Sequence, residues 1–294
     1  YSVRAGEQGT PGAVAPAGTG ALARLSSAQS GPTFKGYRRK NGAVGVRNEI
    51  WIIPTVSCAN HTADVLAKLA SVEFGDACDG IFAFPHNSGC SQLGDDHRMT
   101  QKLLAAIAKH PNAGGVLLVS LGCENNNIHE FLPVLGDYDR DRFRVLVTQE
   151  AGDEIGTGLE LLRELAEIVK RDKRVRVPVS ELKIAFKCGG SDSLSGVTAN
   201  PLCGTVADRI TSLGGSAVLT EVPEMFGAET ILMNRADSRE TFEKVVNLIN
   251  SFKQYYLDYG QPVYENPSPG NKEGGITTLE EKSLGCVQKG GRAV

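Results

Sequence analysis

Four short apolar segments, each about the length of a strand buried on both faces, constrain the fold of this chain more than any other feature. They are residues 50–56, 79–84, 115–120 and 144–148. Amphipathic segments with apolar residues at three- and four-residue spacing lie between them, over 62–70 and 96–110, and another follows the fourth strand. Because parallel strands need helical crossovers, this alternation predicts a doubly wound parallel-sheet α/β domain over residues 36–175.

A second α/β pattern follows a charged segment, residues 172–180, which contains Pro178 and indicates a hinge. It has two short apolar segments, 182–187 and 217–220, and two helical ones, 201–213 and 238–256. Little periodicity remains over 260–291, which is typical of a functional loop. Two strands are too few for a stable sheet, so we expect residues 181–294 to form a second α/β domain that is incomplete at its C-terminus.

The first 35 residues differ in composition from the rest of the chain. Twenty of them are Gly, Ala, Ser or Pro, and few are large and apolar. Such a composition buries too little surface to offset the entropy lost on ordering. It therefore predicts a low-complexity linker, or the remnant of an N-terminal domain, over residues 1–35.

Charge and hydropathy exclude several classes of partner. The formal charge is -3, from 31 Lys and Arg against 34 Asp and Glu, which gives no basic surface for nucleic acid. No apolar segment approaches the roughly 18 residues that span a bilayer, so we expect no membrane partner. Seven cysteines are an odd number and no signal peptide is visible after Tyr1, so we expect reduced thiols and a cytoplasmic protein.

Reactive side chains follow the predicted strands at the points where the strands end. In chain order these are Cys58 and His61, His86 and Cys90, Cys123 and Glu124, Cys188 and Asp192, and finally Glu221. Ligands of parallel sheets bind outside the carboxyl ends of the strands, so the sequence predicts a site there. The spacing of Cys58 and His61 could chelate a metal, but local capping is the simpler interpretation. No C-x-x-C pair occurs, which disfavours a structural zinc site.

Two further segments have both a structural and a functional interpretation. The loop that begins at Gly189 lacks the Lys-Ser/Thr ending of a phosphate-binding loop. Its amides and the hydroxyls of Ser191 and Ser195 could instead hold a carboxylate or sugar hydroxyls. Lys272 and Lys282 lie in the aperiodic segment near the C-terminus, where a solvated charged loop is the default expectation.

Six motifs carry a resemblance to a known family, at residues 45–49, 86–97, 121–126, 188–201, 221–229 and 264–286. Together they resemble the altronate/galactarate dehydratase family over about residues 37–290. The resemblance implies a hydro-lyase that removes water from a sugar acid with iron(II). It implies D-altronate as substrate and 2-keto-3-deoxy-D-gluconate as product, with galactarate as the alternative substrate. It also implies that the chain is the central part of a longer enzyme and need not be active alone; we further expect a homo-oligomer.

Dehydration of such an acid gives each candidate residue a role. Removing the proton next to the carboxylate leaves an enediolate with two negative oxygens, so the site needs an acid, a base and a cation. His86, titratable near neutrality, is the candidate acid or base, with Glu124 as a second catalytic candidate. Lys272 and Lys282 are candidates for gripping the substrate carboxylate. The candidate substrate-binding residues are Ser191, Asp192, Ser195, Asn200 and Glu221.

Thiols supply the candidate metal ligands. Cys90, Cys123 and Cys188 are predicted to hold mononuclear Fe2+, since thiolate and carboxylate ligands suit iron. Cys58, Cys90 and Cys123 come from adjacent strand ends and also permit a [4Fe-4S] cluster, which is the alternative cofactor. Two other functions stay open: a C–S lyase acting on a sulfonated hydroxy acid, and a non-catalytic oligomerisation or binding module.

Overall fold

The computed structural model describes residues 31–293 of the chain. They divide into two compact units, called here the first unit (residues 34–177) and the second unit (residues 178–293 with 31–33). The linker predicted from composition falls largely on residues 1–30, which lie outside the described residues. Within residues 31–293, no helix is both long and apolar enough to cross a bilayer.

The first unit alternates strands with helices. In chain order its strands are β1 (Thr33–Arg38), β2 (Val44–Gly45), β3 (Glu49–Pro54), β4 (Ile81–Ala83), β5 (Ala113–Ser120), β6 (Phe143–Val147) and β7 (Val175–Pro178). Its helices are α1 (Asn60–Phe74), α2 (Gly94–Ala108), α3 (Ile128–Leu135) and α4 (Glu154–Val169).

A four-stranded parallel sheet in the order β4-β3-β5-β6 forms the centre of the first unit. Every residue of β3 is buried, because α1 and α4 cover one face of the sheet and α2 and α3 cover the other. Ile52 packs with Leu66 and Leu165 on the first face, whereas Ile53 packs on the opposite face. Each such side chain contributes about 1.5–3 kcal/mol when it leaves water. The predicted doubly wound α/β architecture is confirmed.

The strand order predicts a crevice above β3 and β5. From β3 the chain crosses to β4 on one side, and it then returns to form β5 on the other side of β3. Consecutive connections therefore diverge at this point, where ligands of open α/β sheets bind. The segments that follow β3 and β5 contain Cys58, Cys123 and Glu124.

A small second sheet has the order β2-β1-β7. β1 and β2 are antiparallel, with Tyr37 opposite Gly45. β1 begins at Thr33, inside the range whose composition predicts a linker, and β7 lies inside the segment that predicts a hinge. These strands pair over a separation of about 140 residues, which local patterns do not report.

The second unit has two strands and five helices among its described residues. In chain order they are β8 (Lys183–Phe186), α5 (Ala199–Ser212), β9 (Ser216–Leu219), α6 (Glu229–Met233), α7 (Arg239–Asp258), α8 (Pro269–Glu273) and α9 (Leu279–Gln288). β8 and β9 are parallel, and α5 is the crossover between them. Phe226, Ile249 and Val287 form the centre of its core.

Helix α9 lies within the segment where the sequence has little apolar periodicity. A capping box between Thr278 and Glu281 fixes its start, since each side chain binds the other's backbone. Its buried face includes Lys282, Ser283 and Cys286. This helix therefore turns a largely polar face towards the interior of the second unit.

Candidate functional site

The carboxyl edge of the β8–β9 sheet gathers charged and sulfur-containing side chains. Cys188 and Ser191 follow β8, and Glu221 follows β9. Helix α9 supplies Lys282 and Cys286, one turn apart, and Lys289 follows one turn later at the C-cap. All of them except Glu221 line a cavity of about 370 Å³, called here the lysine cavity.

Lys282 is the most heavily partnered of these groups. Its Nζ lies 2.9 Å from Ser191 Oγ, 3.2 Å from Cys188 Sγ and 3.2 Å from Glu224 Oε1, and the side chain is only 5% exposed. Burial alone would lower the pKa of Lys282, but the hydrogen bond to Cys188 and the charge of Glu224 outweigh it, and the pKa is raised. The cavity wall therefore carries a buried positive charge at neutral pH.

Glu221 is held by donors from two directions. Its Oε2 accepts from the Cys188 amide at 2.6 Å and from Lys289 Nζ at 3.2 Å. Burial opposes the charge of this carboxylate, but the Cys188 amide and Lys289 outweigh it and lower the pKa of Glu221. Burial raises the pKa of the neighbouring Cys286 thiol to about 11, so that thiol is neutral. Lys282, Lys289, Glu224 and the neutral thiol of Cys286 thus line the cavity, and Glu221 binds Cys188 and Lys289 of its wall.

Three of these groups form a possible metal site. One ligand atom from each of Cys188, Glu221 and Glu224 lies within 4.8 Å of the other two, and no other trio of His, Cys, Asp or Glu over residues 31–293 does so. Glu224 Oε2 is buried and has no hydrogen-bond partner among the described residues. An oxygen in that state is available to a cation.

The other site residues predicted for the second unit differ in whether they line the lysine cavity. Asp192 caps the turn after Ser191, accepting from the Leu194 and Ser195 amides at 2.9 Å each. Asp192, Ser195 and Asn200 all line the lysine cavity. Lys272 is exposed in the last turn of α8.

In the first unit, Glu124 is 3% exposed and its carboxylate is fully engaged. Oε1 accepts from Thr55 Oγ1 at 2.7 Å, Ser120 Oγ at 2.6 Å and the Leu121 amide at 3.0 Å, while Oε2 accepts from the Gly122 amide at 2.6 Å. Burial opposes the charge, but these hydrogen bonds outweigh it and lower the pKa of Glu124. The carboxylate fastens the loop after β5 to the segment after β3.

His86 is also bound on both sides by main chain. Its Nε2 lies 2.8 Å from the Pro54 carbonyl, and the Ser88 amide donates to Nδ1 at 3.1 Å. Because the Ser88 amide donates to Nδ1, a ring proton on Nε2 can be donated to the Pro54 carbonyl. Cys90 and Cys123 are exposed nearby in the same unit, so of the predicted metal ligands only Cys188 belongs to the Cys/Glu/Glu group.

Two protein-family models match the chain. Residues 36–170 match D-galactarate dehydratase/Altronate hydrolase, second domain, and residues 179–294 match D-galactarate/Altronate dehydratase, C-terminal. The chain belongs to the D-galactarate/altronate dehydratase family.

Curated relatives agree with the family assignment. The altronate dehydratase of Bacillus subtilis is 56% identical over 261 residues, which are 88% of this chain and 52% of that protein. The altronate dehydratase of Escherichia coli is 53% identical, again over 88% of this chain and 52% of that protein. The (2R)-sulfolactate sulfo-lyase subunit beta of Chromohalobacter salexigens is 31% identical over 89% of this chain and 66% of that protein. The chain thus spans about half the length of the two altronate dehydratases.

Three cavity residues have no role in the sequence interpretation: Glu224, Cys286 and Lys289. Each falls in or beside a segment that carries the family resemblance, but their types alone name no function. The spacing of Lys282, Cys286 and Lys289 was the available signal, because steps of four and three residues place side chains on one helix face. That signal needs α9 to be recognised as a helix first.

Proposed function

We propose that this chain is the part of a hydro-lyase that binds and dehydrates a sugar acid, with D-altronate as substrate and 2-keto-3-deoxy-D-gluconate as product. The names of the two relatives above 50% identity support this substrate. The observation that carries the proposal is the buried, charged Lys282 on the wall of the lysine cavity.

A lysine in this position suits the chemistry of dehydration. Loss of the proton beside the carboxylate leaves negative charge on two oxygens, and loss of the C3 hydroxyl as water then gives an enol that becomes the 2-keto acid. Fixed positive charge is most effective where that negative charge develops. We assign this role to Lys282 and Lys289, with Ser191, Asp192, Ser195 and Asn200 binding carboxylate or hydroxyl oxygens.

A divalent metal fits the same cavity. Cys188, Glu221 and Glu224 would hold it, and the unpartnered Glu224 Oε2 supports that fit. Thiolate and carboxylate together suit Fe2+. When bound, the ion supplies a Lewis acid for the substrate oxygens.

His86 and Glu124 receive different roles in this proposal. Their nitrogens and oxygens are already bound to main chain and to hydroxyls of the first unit. We therefore propose that both act by positioning the loops that follow β3, β4 and β5. We propose that Lys272, which is exposed on α8, makes only a transient contact with the substrate.

Product analysis tests the proposal. Chain purified without oxygen is supplied with Fe2+ and, in separate reactions, with D-altronate, galactarate or (2R)-sulfolactate. We expect a 2-keto-3-deoxy acid from D-altronate and slower or no turnover of galactarate. Faster turnover of galactarate would contradict the substrate assignment. Absence of both turnover and binding for all three compounds would overturn the proposal in favour of a non-catalytic module.

A C–S lyase is the second candidate function. The observation that favours it is the 31% identical relative, whose name specifies cleavage of sulfolactate. The same cavity would then stabilise charge while sulfite leaves instead of water. Release of sulfite from (2R)-sulfolactate without any keto-deoxy acid from D-altronate would decide for this reaction.

A further inference from the structure

The first unit exposes three cysteines at one edge of its sheet. Of the seven cysteines in the chain, only Cys58, Cys90 and Cys123 are exposed; the other four are half-buried or buried. Free cysteine is among the residue types most often buried, so three exposed thiols are unusual. They follow β3, β4 and β5, three adjacent strands, around the crevice described above. We call this region the thiol edge.

The three loops that carry these thiols are tied to one another. The Ser57 amide donates to the Ser88 carbonyl at 2.9 Å, which joins the loop of Cys58 to that of Cys90. The Asn126 amide donates to the Gly89 carbonyl at 3.2 Å, which joins the loop of Cys123 to that of Cys90. Each thiol therefore lies within three residues of a main-chain hydrogen bond to a neighbouring loop.

A fully buried residue, Thr55, lies beneath all three loops. Its Oγ1 donates to Glu124, and its carbonyl accepts from Asn126 Nδ2 at 2.9 Å. The third loop touches the same carbonyl through Gly89, where a Cβ would lie 2.2 Å from Thr55 O and where φ is +98°. Only glycine fits that approach. The loops that carry the thiols are thus held in place by buried polar groups before any ligand arrives.

Sulfur is the ligand type that all three loops leave available, beside the exposed imidazole of His61 three residues after Cys58. The carboxylate of Glu124 has four donors, and both ring nitrogens of His86 are bound. The thiols do not form a trio within 4.8 Å among the described residues, so they do not match a site for one ion. An iron–sulfur cluster differs in this respect, because each thiolate binds a different iron.

We propose that Cys58, Cys90 and Cys123 bind a [4Fe-4S] cluster at the thiol edge. Three cysteine ligands leave one iron of the cluster without a protein thiolate, open to an oxygen ligand. Use of that iron in dehydration rests on the proposed function, whereas binding of the cluster does not. The three cysteines belong to the first unit, whereas Cys188, Glu221 and Glu224 belong to the second.

Cluster content can be measured without any substrate. The chain is reconstituted without oxygen from ferrous iron, sulfide and a thiol reductant, and iron and acid-labile sulfide are counted per chain. We expect about four of each in the cluster, a broad visible absorption and an electron paramagnetic resonance signal after reduction. Cys90→Ala should lose the acid-labile sulfide and the visible absorption while its thermal unfolding stays close to that of the wild type, since Cys90 is exposed.

Two control variants separate this site from the rest of the chain. Cys78→Ala removes a half-buried thiol of the same unit, and Cys188→Ala removes a half-buried thiol of the second unit; both should retain the sulfide. Iron without sulfide in the wild type, or sulfide that persists in Cys90→Ala, would overturn the proposal. A wild-type chain that is folded and takes up neither would overturn it as well. Because no turnover is read, failure here differs from failure of the proposed dehydratase.

Discussion

The carboxyl edges of the two parallel sheets use polar residues in opposite ways. At the thiol edge, Glu124, His86 and Asn126 bind the loops of their own unit, and the groups left exposed are sulfurs. At the lysine cavity, Lys282 and Glu224 pair with each other and both line the open space. Since a buried charge is costly unless it is paired, the charges kept beside a cavity indicate where ligand chemistry takes place.

The largest expected difference between the two edges is in turnover, which should depend on the lysine cavity. Lys282→Met removes the charge of Lys282. It should lower kcat/KM for D-altronate by about 10²–10³-fold, the range seen when one preorganised donor is removed. His86→Asn should lower it by much less, since both nitrogens serve main chain. Lys272→Met is the matched control, because that lysine is exposed. A larger loss in His86→Asn than in Lys282→Met would reverse the comparison.

The free energy of unfolding should depend more on the polar groups of the thiol edge than on those of the lysine cavity. In Glu124→Gln the new amide NH2 would face the Gly122 amide or the hydroxyl donors, leaving a buried donor without a partner. We expect a loss of about 3 kcal/mol in the free energy of unfolding of the first unit. Denaturant unfolding measures it, with Glu167→Gln on the exposed face of α4 as control. A loss no greater than that of the control would mean that Glu124 does not fasten the loops.

The pH dependence of the stability of the first unit gives a smaller effect. Burial of the ring, stacked on Trp51, lowers the pKa of His110 despite the nearby charge of Glu49. The folded state therefore binds fewer protons than the unfolded state, and stability falls as the pH drops below about 6.5. His110→Gln should reduce that fall by less than about 1 kcal/mol, since the residue is partly exposed.

Thermal unfolding between pH 7 and pH 5 checks the effect of His110→Gln. The exposed His129 provides the control substitution, His129→Gln. Identical pH profiles for the wild type and His110→Gln would show that His110 does not contribute. The same measurement gives the pH-dependent change in stability that has to be subtracted before the pH dependence of either edge is interpreted.

The sequence predicts the first unit well because its signals are local. Each apolar segment of the central sheet is buried on both faces, so composition alone marks it as a strand. Strand β1 was not predicted, since its partners lie beyond a tight turn and about 140 residues away. Helix α9 was not predicted either, because its buried positions include Lys282, Ser283 and Cys286, which erase the apolar periodicity.

The candidate site is only partly predictable for the same reason, since local patterns do not report contacts between distant segments. The rule that ligands bind beyond strand ends selects Cys188 and Ser191, which line one cavity, and Glu221, which accepts from the Cys188 amide. It cannot tell a carboxylate that serves a ligand from one that serves the fold. Glu124 and Glu224 have the same side chain, yet one has four donors and the other retains an unpartnered oxygen. That distinction depends on hydrogen bonds between segments distant in sequence.

Equilibrium binding of the sugar acid tests the central claim about the lysine cavity most directly. Calorimetric titration of D-altronate into the metal-free wild type, Lys272→Met and Lys282→Met, where we expect no turnover, compares an exposed lysine with a buried one. We predict equal affinity for the first two and at least about tenfold weaker binding, roughly 1.4 kcal/mol, for Lys282→Met. Equal affinity in all three proteins, or no binding by the wild type, would contradict it.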